Sequence, residues 1–229
     1  MLKIIDRKYI IPAIVTIFLI LNSGYALYNI QNYGMYINII LSIISILPIC
    51  QYYKKHKIDS FVLMFFSLIF MVVATYIVSG FYSTYVYIYY ITSIIVGFGI
   101  SIKYDFKNVV KVFLNIMTAV SVISLIGYFL INYTNLLSFL PIMNNNNDVT
   151  YAIGYIFNYI TIIPERNCGI FWEPGLFATF LIVSIVLEVC FKESKPNFIK
   201  IILYIICILT TKSAAGYRIT NYSFSNNIL

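Results

Sequence analysis

The sequence predicts an all-α, polytopic membrane helix bundle of about seven transmembrane helices, with its amino terminus in the cytoplasm. Three observations carry that prediction: an apolar composition, apolar runs of spanning length, and cations gathered between alternate runs. Of 229 residues, 61% are hydrophobic and only 10% charged, with a mean hydropathy of +0.90. A soluble domain carries roughly a quarter of its residues as charges to cover its surface. This chain has less than half that, so water is not the solvent on most of its faces. The net charge of +7 would point to nucleic acid only if the basic residues formed one folded patch. They fall instead in short clusters between apolar runs, the pattern of membrane proteins, and no nucleic-acid partner is expected.

A bilayer core about 30 Å thick takes about 20 helical residues to cross, within a range of about 17 to 25. Six runs qualify: 9–28, 36–53, 61–79, 85–102, 109–131 and 174–191. A seventh, 196–211, is shorter and carries Lys200 near its start, where the ammonium can snorkel to the interface. The organisation is therefore five spans in 1–131, a long loop in 132–173, two spans in 174–211 and a polar tail in 212–229. Tyr9, Tyr28, Tyr36, Tyr52, Tyr53 and Tyr85 stand at span ends, where amphipathic rings mark the headgroup level. Tyr87, Tyr89 and Tyr90 lie within a span and read as packing inside the bundle. The basic start, the apolar stretch and the small residues Gly24 and Ala26 also resemble a cleaved signal peptide. The length of the run and the polytopic remainder favour a retained span, and the orientation is the same either way.

Lys3, Arg7 and Lys8 precede the first span, and Lys54, Lys55 and Lys57 follow the second. Lys103, Lys107 and Lys111 follow the fourth, and Lys192, Lys195 and Lys200 follow the sixth. The connections 29–35 and 80–84 carry no charge, so 12 of the 15 Lys and Arg fall on one side. The positive-inside rule assigns that side to the cytoplasm. Four cysteines, Cys50, Cys168, Cys190 and Cys207, show no CxxC pair and no metal-ligand spacing. Three lie in apolar runs, where a thiol is a small hydrophobe, and neither a disulfide nor a metal site is expected. The abundance of Ile, Asn, Tyr, Phe and Lys is that of AT-rich coding and points to a bacterium.

The long loop holds the chemistry-bearing residues. It opens polar, with Asn144, Asn145, Asn146, Asn147 and Asp148 in a row. An aromatic, apolar stretch follows, Tyr151 to Ile163, too short to span and bounded by Gly154 and Pro164. It is expected to lie along the outer surface or to dip in and return. Then come Arg166, Asn167, Cys168, Gly169, the only tryptophan Trp172, and Glu173 directly before Pro174. Glu173 takes the N-cap position ahead of a first-turn proline. A helix amino terminus favours anions, and the guanidinium fork of Arg166 suits phosphate. An anion-receiving site at the outer surface follows. The plainer roles are a simple cap for Glu173, an ordinary loop charge for Arg166 and an interface anchor for Trp172. Glu188 reads as interfacial, and His56 as a solvated charge on the cytoplasmic face. Past the last span, Lys212 and Arg218 emerge on the outer side and break the positive-inside pattern, as cations shared with that anion site or as a basic tail beside headgroups.

RNCGIFWEPGLFATF at 166–180 and LTTKSAAGY at 209–217 together resemble the bacterial O-antigen and capsular polysaccharide polymerase family. The resemblance covers roughly 164–217, with polytopic hydropathy before it. It implies an enzyme of the bacterial cytoplasmic (inner) membrane that joins undecaprenyl-pyrophosphate-linked oligosaccharide repeat units on the outer face, without metal or soluble cofactor. Implied partners are the lipid-linked oligosaccharide, membrane lipids, a flippase and a chain-length regulator. The reaction needs cations for the leaving pyrophosphate and a base for the acceptor hydroxyl. The resemblance offers Arg166 for the first and Glu173 for the second, with Asn167, Trp172, Lys212 and Arg218 as substrate contacts. Family members continue through further spans, whereas here a polar tail follows 218. That reads as a truncation near Arg218, and a form inactive by itself is expected. An O-antigen ligase is the nearest rival, although a ligase is expected to use an outer-loop histidine and none is present. A flippase would carry polar residues in several spans, and a scaffold would tolerate changes at Arg166 and Glu173.

Overall fold

A computed structural model describes residues 7–26, 33–55, 60–81, 84–134, 139–144, 149–154, 156–191 and 195–213. In chain order the elements are α1 (Arg7–Gly24), α2 (Tyr33–Lys55), α3 (Ser60–Val78), α4 (Thr84–Lys103) and α5 (Phe106–Tyr133). They continue with β1 (Ile142–Asn144), β2 (Thr150–Ile153), β3 (Asn158–Ile160), α6 (Pro174–Cys190) and α7 (Phe198–Thr211). Each apolar run of the sequence coincides with one helix, which satisfies every backbone group within its own segment.

Among the described residues, four helices are long and apolar enough to cross a membrane: Tyr36–Lys54, Ser60–Val78, Thr84–Lys103 and Phe106–Tyr133. With 17 and 14 residues, α6 and α7 reach about 26 and 21 Å at about 1.5 Å per residue, short of a core of about 30 Å. Length alone therefore carries four of the seven expected crossings. Only 11% of the apolar window of α3 is buried, and Phe70, Met71 and Val78 face outward. A helix hydrophobic all round cannot present that surface to water. By length and composition these four helices are of the kind that a helical membrane protein carries.

Residues 33–106 form one compact unit. The Asn38 amide donates to Ser93 Oγ over 2.7 Å. Further along, a Cβ on Gly99 would lie 2.6 Å from Ser45 Cβ, so α2 and α4 run parallel in close contact. The ring of Phe98 stacks on Phe61 and Phe65 at 4.4 and 4.2 Å, which sets α3 antiparallel to both. Tyr87 packs on Tyr76 at 4.9 Å, whereas Tyr90 is 49% exposed and does not fill the interior as its position in the span predicted.

The second unit comprises 1–32 and 107–229. Leu114 and Met117 of α5, Phe177 and Leu181 of α6, and Tyr204 and Cys207 of α7 build its core with Ile20 of α1. The Tyr204 hydroxyl, buried among them, bonds Leu114 O at 3.0 Å and Thr118 Oγ1 at 2.8 Å. Glu188 is fully buried rather than turned to the interface. Its Oε1 accepts from the backbone N–H of Asn197 at 2.8 Å, and Asn197 in turn caps α7. Nearby, Lys200 reaches Asn115 Oδ1 at 3.0 Å.

The fold is not all-α. The stretch 151–163, expected to lie as an interfacial segment, supplies most of β2 and all of β3 in a three-stranded antiparallel sheet, β1-β2-β3, pairing Met143 with Tyr151 and Ala152 with Tyr159. Tyr, Ile and Thr favour the pleated conformation, and a hairpin spends backbone groups that a one-turn helix would leave open. Gly154 N donates to Phe157 O at 2.8 Å to close the hairpin. The Phe157 ring lies against Gly127 of α5, where a Cβ would come within 2.8 Å of it. Every described residue of β3 is buried.

Candidate functional site

The segment 166–173 is held from three directions. On one side its backbone pairs with the end of α1: Trp172 N donates to Gly24 O at 3.0 Å and Ala26 N to Ile170 O at 3.2 Å. On the second side Asn158 of β3 donates from its backbone to Gly169 O at 2.7 Å and from its amide to Ile170 O at 2.8 Å. On the third lies the carboxyl end of α7. Asn167 N donates to Thr210 O at 3.0 Å, and Arg166 Nε donates to Thr211 O at 3.1 Å.

Asn167 is completely buried. Its amide donates to Thr210 Oγ1 at 3.0 Å and to Ser124 Oγ of α5 at 3.4 Å, while its Oδ1 accepts from Gly169 N at 2.9 Å. Both amide hydrogens are spent inside the protein, so the side chain positions the loop. The bond from Gly169 closes a tight turn with φ of +58°, a conformation natural to glycine.

Arg166 is half-buried, and one of its five N–H donors is spent on α7. Lys212, exposed and in the left-handed conformation with φ of 46°, is the C-cap of the same helix. The fold thus brings two sequence-distant cations, Arg166 and Lys212, to one helix end. Arg218 lies outside the described residues.

Glu173 occupies the N-cap of α6 ahead of Pro174, but its side chain makes no capping hydrogen bond. The simple-cap role is therefore not how the carboxylate is used. It forms no ion pair with Arg166. Instead both charges act on the Cys168 thiol, whose pKa burial raises, the Ile160 backbone and then Arg166 lower, and Glu173 raises. Burial outweighs both and pushes the thiol up to about 12. Tyr151 is likewise pushed up to about 12, first by burial, then by Cys168 and Glu173. Burial also raises Tyr159 well above its ordinary value. Trp172 packs with Tyr151, Ile153, Ile160 and Cys168 in a small core under the sheet, which fixes Glu173 beside it.

No family model, curated protein or solved structure matches the chain.

The geometry resolves into a cationic group (Arg166, Lys212) and an acidic, aromatic group (Glu173, Trp172, Tyr151) on either side of the Cys168–Gly169 turn. Sequence reasoning missed Ser124, Asn158, Thr210 and Thr211 as the residues that hold this loop. Only the threonine pair carried a signal, as part of the second motif.

Proposed function

We propose that this chain is a glycan polymerase of the bacterial cytoplasmic membrane, joining undecaprenyl-pyrophosphate-linked oligosaccharide repeat units of O-antigen or capsule on the outer face. The observation that carries the reading is the pairing of the two resembled motifs: Arg166 and Asn167 of the first bond Thr211 and Thr210 of the second. Motifs forming one site must meet in space, and no local rule requires these two to do so.

In this reading Arg166 and Lys212 receive the pyrophosphate of the donor, the guanidinium as a fork and the ammonium as a point charge. The Glu173 carboxylate, unspent on its helix cap, takes the proton of the acceptor hydroxyl. The acceptor oxygen then bonds the anomeric carbon, and the carbon–oxygen bond to pyrophosphate breaks. The leaving group carries its charge onto the two cations. Asn167 and Gly169 set the loop, and Trp172 fixes Glu173. Seven crossings with a cytoplasmic amino terminus place the loop outside, and the shorter α6 and α7 are accommodated by local thinning or snorkelling flanks. The concentration of 12 of 15 cations on one side supports that orientation. A flippase and a chain-length regulator are the partners this reaction calls for.

The test is elongation of a lipid-linked repeat unit by the purified chain in nanodiscs, beside Arg166→Ala and Glu173→Gln. Longer glycan from the wild type, lost in both variants at unchanged helicity, supports the assignment and overturns the expectation that this form is inactive by itself. Unaltered repeat units, together with equal binding of the lipid pyrophosphate by wild type and Arg166→Ala, would overturn it in favour of transport or a scaffold.

A further inference from the structure

A cavity of about 420 Å³ opens between the carboxyl-terminal ends of α2 and α4, lined by Ile44, Leu47, Pro48, Gln51, Tyr52 and Lys103 among others. Its lining is divided. Ile44 and Leu47, 58% and 67% exposed, lie one helical turn apart on the outward face of α2. Gln51 and Tyr52 bring polar groups to the other end, and Lys103 lines it there with its ammonium 5.7 Å from the centre of the neighbouring Tyr104 ring. Pro48, inside the helix, has no N–H to offer the carbonyl four residues back, which leaves the Ile44 oxygen outside the helical ladder.

We propose that this cavity binds one anionic phospholipid, with Lys103 on the headgroup phosphate and an acyl chain along Ile44 and Leu47. Basic pockets between transmembrane helices take anionic headgroups for this reason. The charge balance makes Lys103 decisive. Because α2 and α4 run parallel, the negative ends of both helix dipoles gather here and oppose an anion. Asp105, two residues beyond Lys103, does not line the cavity. Lys103 lines it directly, whereas Lys54 is exposed just past Gln51 and contributes only from outside. A free phosphate would fill the polar end and leave the apolar wall unused, whereas a phospholipid uses both. The site lies within residues 33–106 and is independent of the glycan reading.

The full chain is placed in nanodiscs of phosphatidylcholine with graded phosphatidylglycerol, and retained lipid is counted by native mass spectrometry. One phosphatidylglycerol per chain is expected to be held in preference to phosphatidylcholine. Lys103→Gln is expected to weaken retention about fivefold, the effect of one cation near the membrane surface, and Lys103→Arg to restore it. Lys54→Gln should have clearly less effect, and Leu47→Gln should weaken retention without loss of helicity. Leu47, Lys54 and Lys103 are all exposed, so these substitutions leave the packed interior untouched. Equal losses in Lys54→Gln and Lys103→Gln would mean diffuse attraction to the surface and overturn the site. Displacement by millimolar inorganic phosphate, with no effect of Leu47→Gln, would make it a free-anion site and overturn the lipid assignment.

Discussion

Arg166 donates from Nε to the main-chain carbonyl of Thr211 over 3.1 Å, so the cation proposed to meet the substrate also closes a helix. A cation on a helix carboxyl terminus contributes about 0.3 to 1 kcal/mol. The two roles separate by substitution. Arg166→Lys keeps the charge but loses the planar fork, and is expected to retain the thermal midpoint while losing about tenfold or more in glycan formation, for one charge-assisted hydrogen bond. Arg166→Ala should lose both. A lysine variant as active as the wild type would show that the charge at 166 suffices and the planar fork is not needed.

The turn at Gly169 tests whether the loop geometry matters at all. Its φ of +58° costs a residue with a side chain about 1 to 3 kcal/mol. An added Cβ would also stand 3.1 Å from the Phe177 ring. Gly169→Ala should therefore lower stability by that amount and displace Asn167 from Gly169 N. Thermal unfolding in detergent reads the first effect, and loss of glycan product at a temperature where the variant stays folded reads the second.

The helices were legible because an apolar run of spanning length has one satisfactory conformation in lipid, and each run emerged as a helix with nearly the expected bounds. The sheet was not legible. Strands β2 and β3 are buried along nearly their whole length, so Tyr151–Ile153 is continuously apolar and Asn158–Ile160 buries even its polar Asn158; neither alternates, and such segments do not distinguish strand from helix. At the site, the motif residues were readable but their division of labour was not. Asn167 turns inward because of its bonds to Ser124 and Thr210, while Lys212 is exposed at the C-cap of α7, and no spacing rule connects positions so far apart. Glu188 misled for a similar reason: its partner is a backbone N–H, which carries no sequence signature.

Glu188 is expected to matter for stability through that bond. Its Oε1 takes the N–H of Asn197 while Asn197 Oδ1 accepts from Ile199 N at 3.0 Å, so one carboxylate supports the start of α7. Glu188→Gln keeps an acceptor there, and Glu188→Ala removes the acceptor of a part-buried N–H, at about 1 kcal/mol. The thermal midpoint of the alanine variant should fall clearly below that of the glutamine variant. Equal losses in both would mean that the negative charge, and not the hydrogen bond, holds the α6–α7 connection.

The small core beneath the sheet makes a prediction about alkaline pH. Burial raises the Cys168 thiol from an ordinary value of 9.0 to about 12, and the Tyr151 hydroxyl from 10.0 to about 12. An unfolded chain releases the thiol proton above about pH 9 and the phenol proton above about pH 10, while the folded loop keeps both until about 12. Between those limits the folded state binds more protons, so its stability falls as pH rises. The contribution is fully present below pH 9 and is lost progressively toward pH 12. At pH 8 the thiolate fraction of Cys168 is on the order of 10⁻⁴, and iodoacetamide should leave it unmodified in the native protein while labelling it after unfolding. Glu173→Gln removes a charge that pushes both groups upward, so it should move the alkaline loss to slightly lower pH in a series of thermal melts. Rapid native labelling of Cys168 at pH 8 would mean that the loop opens to water, and Trp172 would then not be fixing Glu173 in place.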